Sequence, residues 1–263
     1  MSNDILFDFD LDDEPTLADK PQDGSPLEKW AEEQLSKPSS GSGPLFFDCE
    51  TGPRPEEELK LLYHEKTLDE FATTCDKRWK PETVAEKFEQ YRKTAWDDFV
   101  GRAALSATTG RVLLIGVLNN GGFHGFGKDG ESANLAMFWD LVTDSLSLKI
   151  RIIGHNSNSF DLPFLSRRSW LLGVPIPREV RQGRYWNPLF IDTMEAWQFG
   201  AREYTSLNDI GKFFGVGQKT EGICGGDFAK FWFGTPEERK TALEYNETDL
   251  RLTAAIAAKM GLV

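Results

Sequence analysis

The sequence predicts an α/β domain, a central sheet covered by helices on both faces. Two patterns and a length predict it. Short apolar runs of strand type, such as RVLLIGVL (111–118) and IRIIG (150–154), alternate with segments of helical apolar spacing such as ESANLAMFWDLVTDSL (131–146). An order of strand, helix, strand implies right-handed crossovers, which place helices over the sheet. At 263 residues, 40% of them hydrophobic and 12% aromatic, the chain has enough apolar material for a real core.

Taken in order, residues 1–43 combine an acidic stretch, dotted with Ile5, Leu6, Phe7, Phe9 and Leu11, with the linker SKPSSGSG. Such a segment buries too little apolar surface to offset its ordering entropy, so disorder is expected, apart from a short helix over 27–35. The folded domain is expected over 44–263. It opens at PLFFDCET (44–51), a strand with Gly52-Pro53 behind it. Residues 53–108 predict a helical insertion with Trp79 and Trp96 embedded in it, serving as a lid, a dimer contact or decoration. Strand 111–118 then turns through Asn119-Asn120-Gly121-Gly122 into a partner strand at 122–127. A helix over 131–146, a strand at 150–154, a helix over 161–172 and a strand at 189–193 follow. Residues 206–215 predict a helix ending at glycine, and 236–260 a long closing helix. Gly215, Gly217, Gly222, Gly225 and Gly226 predict a flexible loop before it, with neither Walker nor dinucleotide spacing.

The net charge of −12 is unevenly spread: residues 1–34 hold 11 acids against 2 lysines, which leaves only −3 on the rest. The acidity is therefore mostly a property of the tail and does not exclude a phosphate-bearing substrate. Cys49, Cys75 and Cys224 are too few and too scattered for a disulfide framework or a zinc site. No apolar run approaches membrane-spanning length, and the start MSNDILFDFDLDDE lacks the basic-then-apolar form of a secretory signal. A cytoplasmic protein is the expectation.

Three carboxylate motifs carry the chemistry. In FFDCET, Asp48 and Glu50 lie two apart on a strand and project to one face, with Phe47 and Cys49 on the other. Two such carboxylates repel unless a cation lies between them, and hard oxygens suit Mg²⁺ or Mn²⁺. In GHNSNSFDLPFL (154–165), a buried strand runs through a polar loop to Asp161 at a helix start, where negative charge is favoured. In YNETD (245–249), Tyr245 and Asp249 are four apart on one helical face, beside an apolar stripe of Ala242, Leu252, Ala255 and Ile256. Taken singly, each also fits a plainer reading: a solvent-facing strand end, a helix N-cap, a half-buried Tyr near a surface Asp. His155 reads as a polar loop residue near the cleft rather than a general base.

In combination the three motifs resemble the DnaQ-like 3′–5′ exonuclease superfamily, in its branch with a Tyr in the third motif. FFDCET is similar to the first exonuclease motif, with Cys49 where an aliphatic residue is more usual. GHNSNSFDLPFL is similar to the second motif of proofreading domains in family-B DNA polymerases, and YNETD matches Y-x-x-x-D. The resemblance spans roughly residues 44–262 and implies a ribonuclease H-like fold, a mixed five-stranded sheet in the order 3-2-1-4-5. It further implies a stand-alone 3′→5′ exonuclease with two divalent cations, Mg²⁺ or Mn²⁺. Asp48, Glu50 and Asp249 would hold the first, Asp161 the second with Asp48 bridging, and Tyr245 would position the attacking water. Thr51, Asn156 and Phe160 would meet the substrate, single-stranded DNA or a frayed 3′ end, with RNA trimming as the alternative. A non-catalytic nucleic-acid-binding module is disfavoured because all four carboxylates are present. Two features depart from the family pattern: the long gap at 53–108 and the Arg- and aromatic-rich stretch 174–205.

Between Ser166 and Tyr185 stand Arg167, Arg168, Arg178, Arg181 and Arg184 against one Glu, with Tyr185-Trp186 following. Cations beside aromatic platforms grip single strands, so Arg181 and Arg184 are the candidates for backbone phosphate, against a solvated helix face and a turn. Lys212 and Lys219 read as surface lysines. The tail's NDILFDFDLDDE fits an acidic-hydrophobic peptide that docks on a protein partner, or a phosphate mimic that covers the cleft.

Overall fold

Strands of Val, Leu and Ile buried on both faces build the centre of the domain. The computed structural model describes residues 43–120, 122–201, 203–219 and 225–263, so the acidic tail and the helix expected at 27–35 lie outside the described residues. In chain order come β1 (Leu45–Pro53), then α1 (Glu56–Leu62), α2 (Leu68–Thr74) and α3 (Pro81–Ala103), then β2 (Gly110–Asn119) and β3 (Gly122–Phe126). Next are α4 (Glu131–Ser147), β4 (Ile152–Gly154), α5 (Asp161–Leu172), β5 (Arg181–Gln182), β6 (Tyr185–Trp186) and β7 (Phe190–Asp192). The chain closes with α6 (Thr193–Gln198), α7 (Leu207–Phe214), α8 (Phe228–Trp232) and α9 (Pro236–Lys259).

The sheet order is β3-β2-β1-β4-β7, the mixed five-stranded arrangement expected. β1, β2 and β3 are antiparallel neighbours, whereas β4 and β7 run parallel to β1. β5 and β6 form a separate two-stranded hairpin that the periodicity did not announce. β4 is only three residues long and stops at Gly154, so β1 runs on beyond its partner toward the C-terminal edge. Such an edge is where parallel strands open a crevice.

Helices cover both faces. Leu45, Phe47 and Cys49 of β1 pack with Phe138 and Trp139 of α4 and Leu162 and Leu165 of α5. On the opposite face Phe46, Leu118 and Ile153 meet Leu250, Ala254 and Ala257 of α9, and α8 adds Phe228 and Trp232 against Leu113 and Leu114. α7 packs behind α9 through Ile210, Leu252 and Ile256. Each fully buried Phe, Leu or Ile contributes about 2 kcal/mol, so the face that carries α9 is firmly set. α9 starts at a capping box, with Thr235 accepting from Glu238 N and Pro236 in its first turn, which fixes where the helix begins. No described helix is long and apolar enough to cross a membrane.

α1, α2 and α3 fill the connection between β1 and β2, with aromatic contacts of their own: Tyr63 meets Trp96 edge-on at 5.1 Å, and Phe71 lies 5.2 Å from Tyr91. The neck of this connection is tied. Arg54 N donates to Thr109 O at 3.0 Å, Arg111 Nε to Pro53 O at 3.1 Å and Thr51 Oγ1 to Ala104 O at 2.7 Å.

Candidate metal centre

Alternation along β1 sends Asp48 and Glu50 to the α9 face, as the two-residue period requires. A β-bulge follows at once, between Glu50 and Thr51, and such a break re-aims side chains next to functional sites. Opposite Asp48 in the ladder stands Gly116, and the missing side chain leaves room for Asn246 of α9. Asn246 Nδ2 donates to Asp48 Oδ2 at 2.8 Å and to Glu50 Oε1 at 3.4 Å. One turn on, Asp249 completes the set: one oxygen from each of Asp48, Glu50 and Asp249 lies within 4.8 Å of the others.

Asp161 stands beside this trio rather than in it. It begins α5, and its Oδ1 accepts from Cys49 N at 2.9 Å, a backbone donor left unpaired where β4 ends. Phe160 precedes it half-buried, its ring 5.7 Å from Phe164, and Asn156 is half-buried with φ of 57°.

Burial and mutual repulsion dominate the electrostatics. Burial first, then Glu50, Asp161 and Asp249, pushes Asp48 well above the ordinary carboxylate range. Glu50 is raised to about 8 by burial and then by Asp249, against the Asn246 hydrogen bond. Burial lifts Asp161 to about 6, against its bonds to Cys49. Asp249 is raised by burial and restrained by Lys219. Carboxylates crowded and buried in this way are costly without a counter-cation.

The residues fit a hard divalent cation. The donors are all carboxylate oxygens, and Asp249 Oδ1 is buried with no hydrogen-bond partner among the described residues.

A family model described as the RNase_H superfamily matches residues 103–261, more than half of the chain. The chain belongs to the RNase H superfamily. A search of solved structures matches the family B DNA polymerase of the hyperthermophilic archaeon Pyrobaculum calidifontis, with a TM-score of 0.50 and 22% identity over 84% of this chain. The match spans 25% of the polymerase chain and supports the fold alone. A sequence comparison with curated proteins finds no match. A largely buried acidic trio set between β1 and α9 of an RNase H-superfamily fold is a nuclease arrangement, since nucleases of this superfamily use divalent metals.

Two residues around this RNase H-superfamily site, Lys219 and Arg168, stand otherwise than expected. Lys219 is no surface lysine: its Nζ pairs with Asp249 Oδ2 and donates to Tyr245 Oη at 3.3 Å. Burial is the largest influence and works against its charge, but Asp249, Tyr245 and Asp48 together outweigh it and the pKa is raised. Arg168 belongs to the core, paired with Glu131 at 2.6 Å, which removes it from the basic stretch. The Thr51 hydroxyl donates to Ala104 O in the neck of the helical connection. The glycine-rich loop holds the short helix α8 at its end, while 220–224 lie outside the described residues. His155 is neutral, lowered to about 4 by burial and then by Lys219. Its Nδ1 lies 2.9 Å from Thr193 Oγ1, which itself donates to Gly154 O.

Asn246 was absent from the sequence expectations, yet its position three before Asp249 was a usable signal, as was a glycine inside the apolar run of β2. A Cβ on Gly116 would stand 1.7 Å from Asn246 Oδ1. Gly116→Ala is therefore expected to displace Asn246 and cost about 3 kcal/mol in urea unfolding. A loss under about 0.5 kcal/mol would mean that Asn246 is not held there.

Proposed function

We propose that the chain is a 3′→5′ exonuclease that hydrolyses the terminal phosphodiester of single-stranded DNA or of a frayed end. The observation that carries this reading is the meeting of Asp48, Glu50 and Asp249 at one point, with Asp161 and Tyr245 beside them. Asp48, Glu50 and Asp249 would hold one Mg²⁺ or Mn²⁺ ion, and Asp161 with Asp48 a second. When bound, such ions acidify water and neutralise charge on the phosphate.

The chain's own groups do the rest. Burial and then Asp249 raise the Tyr245 phenol, so it keeps its proton and orients water as a hydrogen-bond donor rather than a base. Lys219 places a cation against the same carboxylate and limits the repulsion there. Asn156 and Phe160 are the substrate contacts on the β4–α5 loop. The preference for DNA rests on the polymerase-like form of GHNSNSFDLPFL.

The β5–β6 hairpin suits a single strand. Arg181 lies 4.7 Å over the Trp186 ring and Arg184 4.8 Å over exposed Tyr185, while Trp186 Nε1 donates to Asn158 O at 3.2 Å. The hairpin thus leans on the loop that leads to Asp161. Reversing both charges (Arg181→Glu with Arg184→Glu) is expected to raise KM about tenfold at low salt and to flatten the salt slope by about one to two. Unchanged affinity and slope would remove the hairpin from the substrate path.

The deciding experiment uses DNA and RNA oligonucleotides labelled at the 5′ end, each with a free or a blocked 3′ end, in Mg²⁺. A ladder that shortens from the free 3′ end, faster on DNA, is expected. Internal cleavage, or indifference to the block, would overturn the exonuclease reading. Faster digestion of RNA would transfer the activity to RNA trimming.

A further inference from the structure

Asp192 ends β7 and is only 3% exposed, yet it belongs to none of the three carboxylate motifs. Its Oδ1 accepts from Asn156 N at 2.8 Å and Met194 N at 2.9 Å, and its Oδ2 from Asn158 N at 2.9 Å. We propose that Asp192 is a positioning residue, whose carboxylate fixes the β4–α5 loop so that Asn156 and Asp161 face the metal centre. The proposal rests on the exonuclease reading of that centre.

Two plainer roles explain too little. Capping α6 requires one acceptor for Met194 N, which Ser, Thr or Asn would supply without a buried charge. A carboxylate here carries a cost: it is buried, and it adds to the charges acting on Asp161. What only a carboxylate offers at this length is two acceptor oxygens on opposite sides of one carbon. The second oxygen and half of the first are spent on the loop.

The loop requires them. Asn156 sits at φ 57°, left-handed backbone that few residues other than glycine adopt. From there the chain folds back, with Ser159 N and Phe160 N donating to Asn156 O and Leu162 N to Ser157 O. This tight turn directs the N–H groups of Asn156 and Asn158 toward the end of β7, where buried donors must find an acceptor. Asp192 meets both at once. Asn158 is held again through Nδ2, which donates to Glu195 Oε2 at 2.8 Å, and it takes the Trp186 indole on its carbonyl. One carboxylate thus links β7, α6, the loop and, through Asn158, the β5–β6 hairpin. Asp161 follows Asn158 by three residues, so a shift in the loop is passed to it directly.

The test uses the full chain and two variants. Asp192→Asn retains one acceptor and turns an NH₂ toward Asn158 N or Asn156 N. Asp192→Glu keeps the charge but displaces both oxygens by one methylene, and it serves if the first variant fails to fold. Amide hydrogen exchange at Asn156 and Asn158 is expected to quicken at least about tenfold in either variant, with β1, β2 and α9 unchanged. With that, kcat should fall about ten- to a hundredfold, while KM rises less than threefold. Binding of the first Mn²⁺ ion, measured by calorimetry, should stay at its wild-type value.

Wild-type exchange at both amides would overturn the proposal. So would exchange that quickens equally across the sheet, because Asp192 would then stabilise the domain as a whole. If the unaltered protein digests no oligonucleotide, the exonuclease reading falls, and the exchange pattern still decides whether Asp192 holds the loop.

Discussion

Asp48→Asn is expected to lower Mg²⁺-dependent hydrolysis about 10³- to 10⁴-fold while raising the melting temperature of the cation-free protein. The two effects share a cause. Asp48 sits with Glu50, Asp161 and Asp249 all acting on it, and burial removes the water that would screen them. Losing one charged ligand costs several kcal/mol of transition-state stabilisation, and each 1.4 kcal/mol is about a factor of ten. The same change removes the repulsion. The amide oxygen at 48 still accepts from Asn246 Nδ2, which now makes 2.8 Å to the carboxylate, so the local packing stays. Initial rates with wild type and variant, beside a thermal melt in chelator, test both halves. Activity within tenfold of wild type would remove Asp48 from the chemistry, and a lowered melting temperature would mean that its charge is not under strain.

The cation-free protein is expected to lose stability as pH rises from about 5 to 9, and divalent cations should restore it most at the alkaline end. Glu50 is held at about 8 against an ordinary 4.5, and Asp161 at about 6 against 3.8. Between those values the folded chain keeps protons that the unfolded chain has released. The stabilisation is complete below the ordinary carboxylate range and is lost as pH passes about 6 and then about 8. Opposition by Lys219 tempers the loss, and a fall of about 5 °C or more in the melting temperature is the expected size. Saturating Mg²⁺ should flatten the profile, because ligation replaces protonation as the way to relieve the crowding. A melting temperature that rises steadily to pH 9 in chelator would contradict the burial of these groups.

The sheet was legible because β2 and β4 are nearly continuous in Val, Leu and Ile, and because the Asn-Asn-Gly-Gly sequence after β2 signals a turn. Two periods put Asp48 with Glu50 on one face of β1 and Tyr245 with Asp249 on one face of α9, but only the resemblance of the three motifs to the exonuclease superfamily implied that the two pairs meet. Lys219 lacked any such handle. It lies in a glycine-rich loop with no period, and only the closeness of α7, whose Asn208 Oδ1 accepts from Lys219 N at 3.0 Å, brings it to Asp249. Asp192 was hidden differently. An Asp at a strand end before a helix looks like a cap, and its bonds to a loop 34 and 36 residues earlier in the chain are visible only in space. Arg168 shows the opposite error, since a cluster of arginines in sequence spreads over a core ion pair and an exposed hairpin once folded.

The knot of bonds joining Pro53 to Arg111 and Arg54 to Thr109 gives the domain a socket. Whatever chain leaves at one side of it must return at the other, and the strands beneath are already fastened. Closing a longer excursion costs only a logarithmic increment in chain entropy, about 0.6 kcal/mol per doubling of length. Helices mounted there can thus be lengthened, shortened or exchanged over evolutionary time while the carboxylates a few residues away keep their register. The length of that excursion and the spacing of the acidic side chains are set by different parts of the chain.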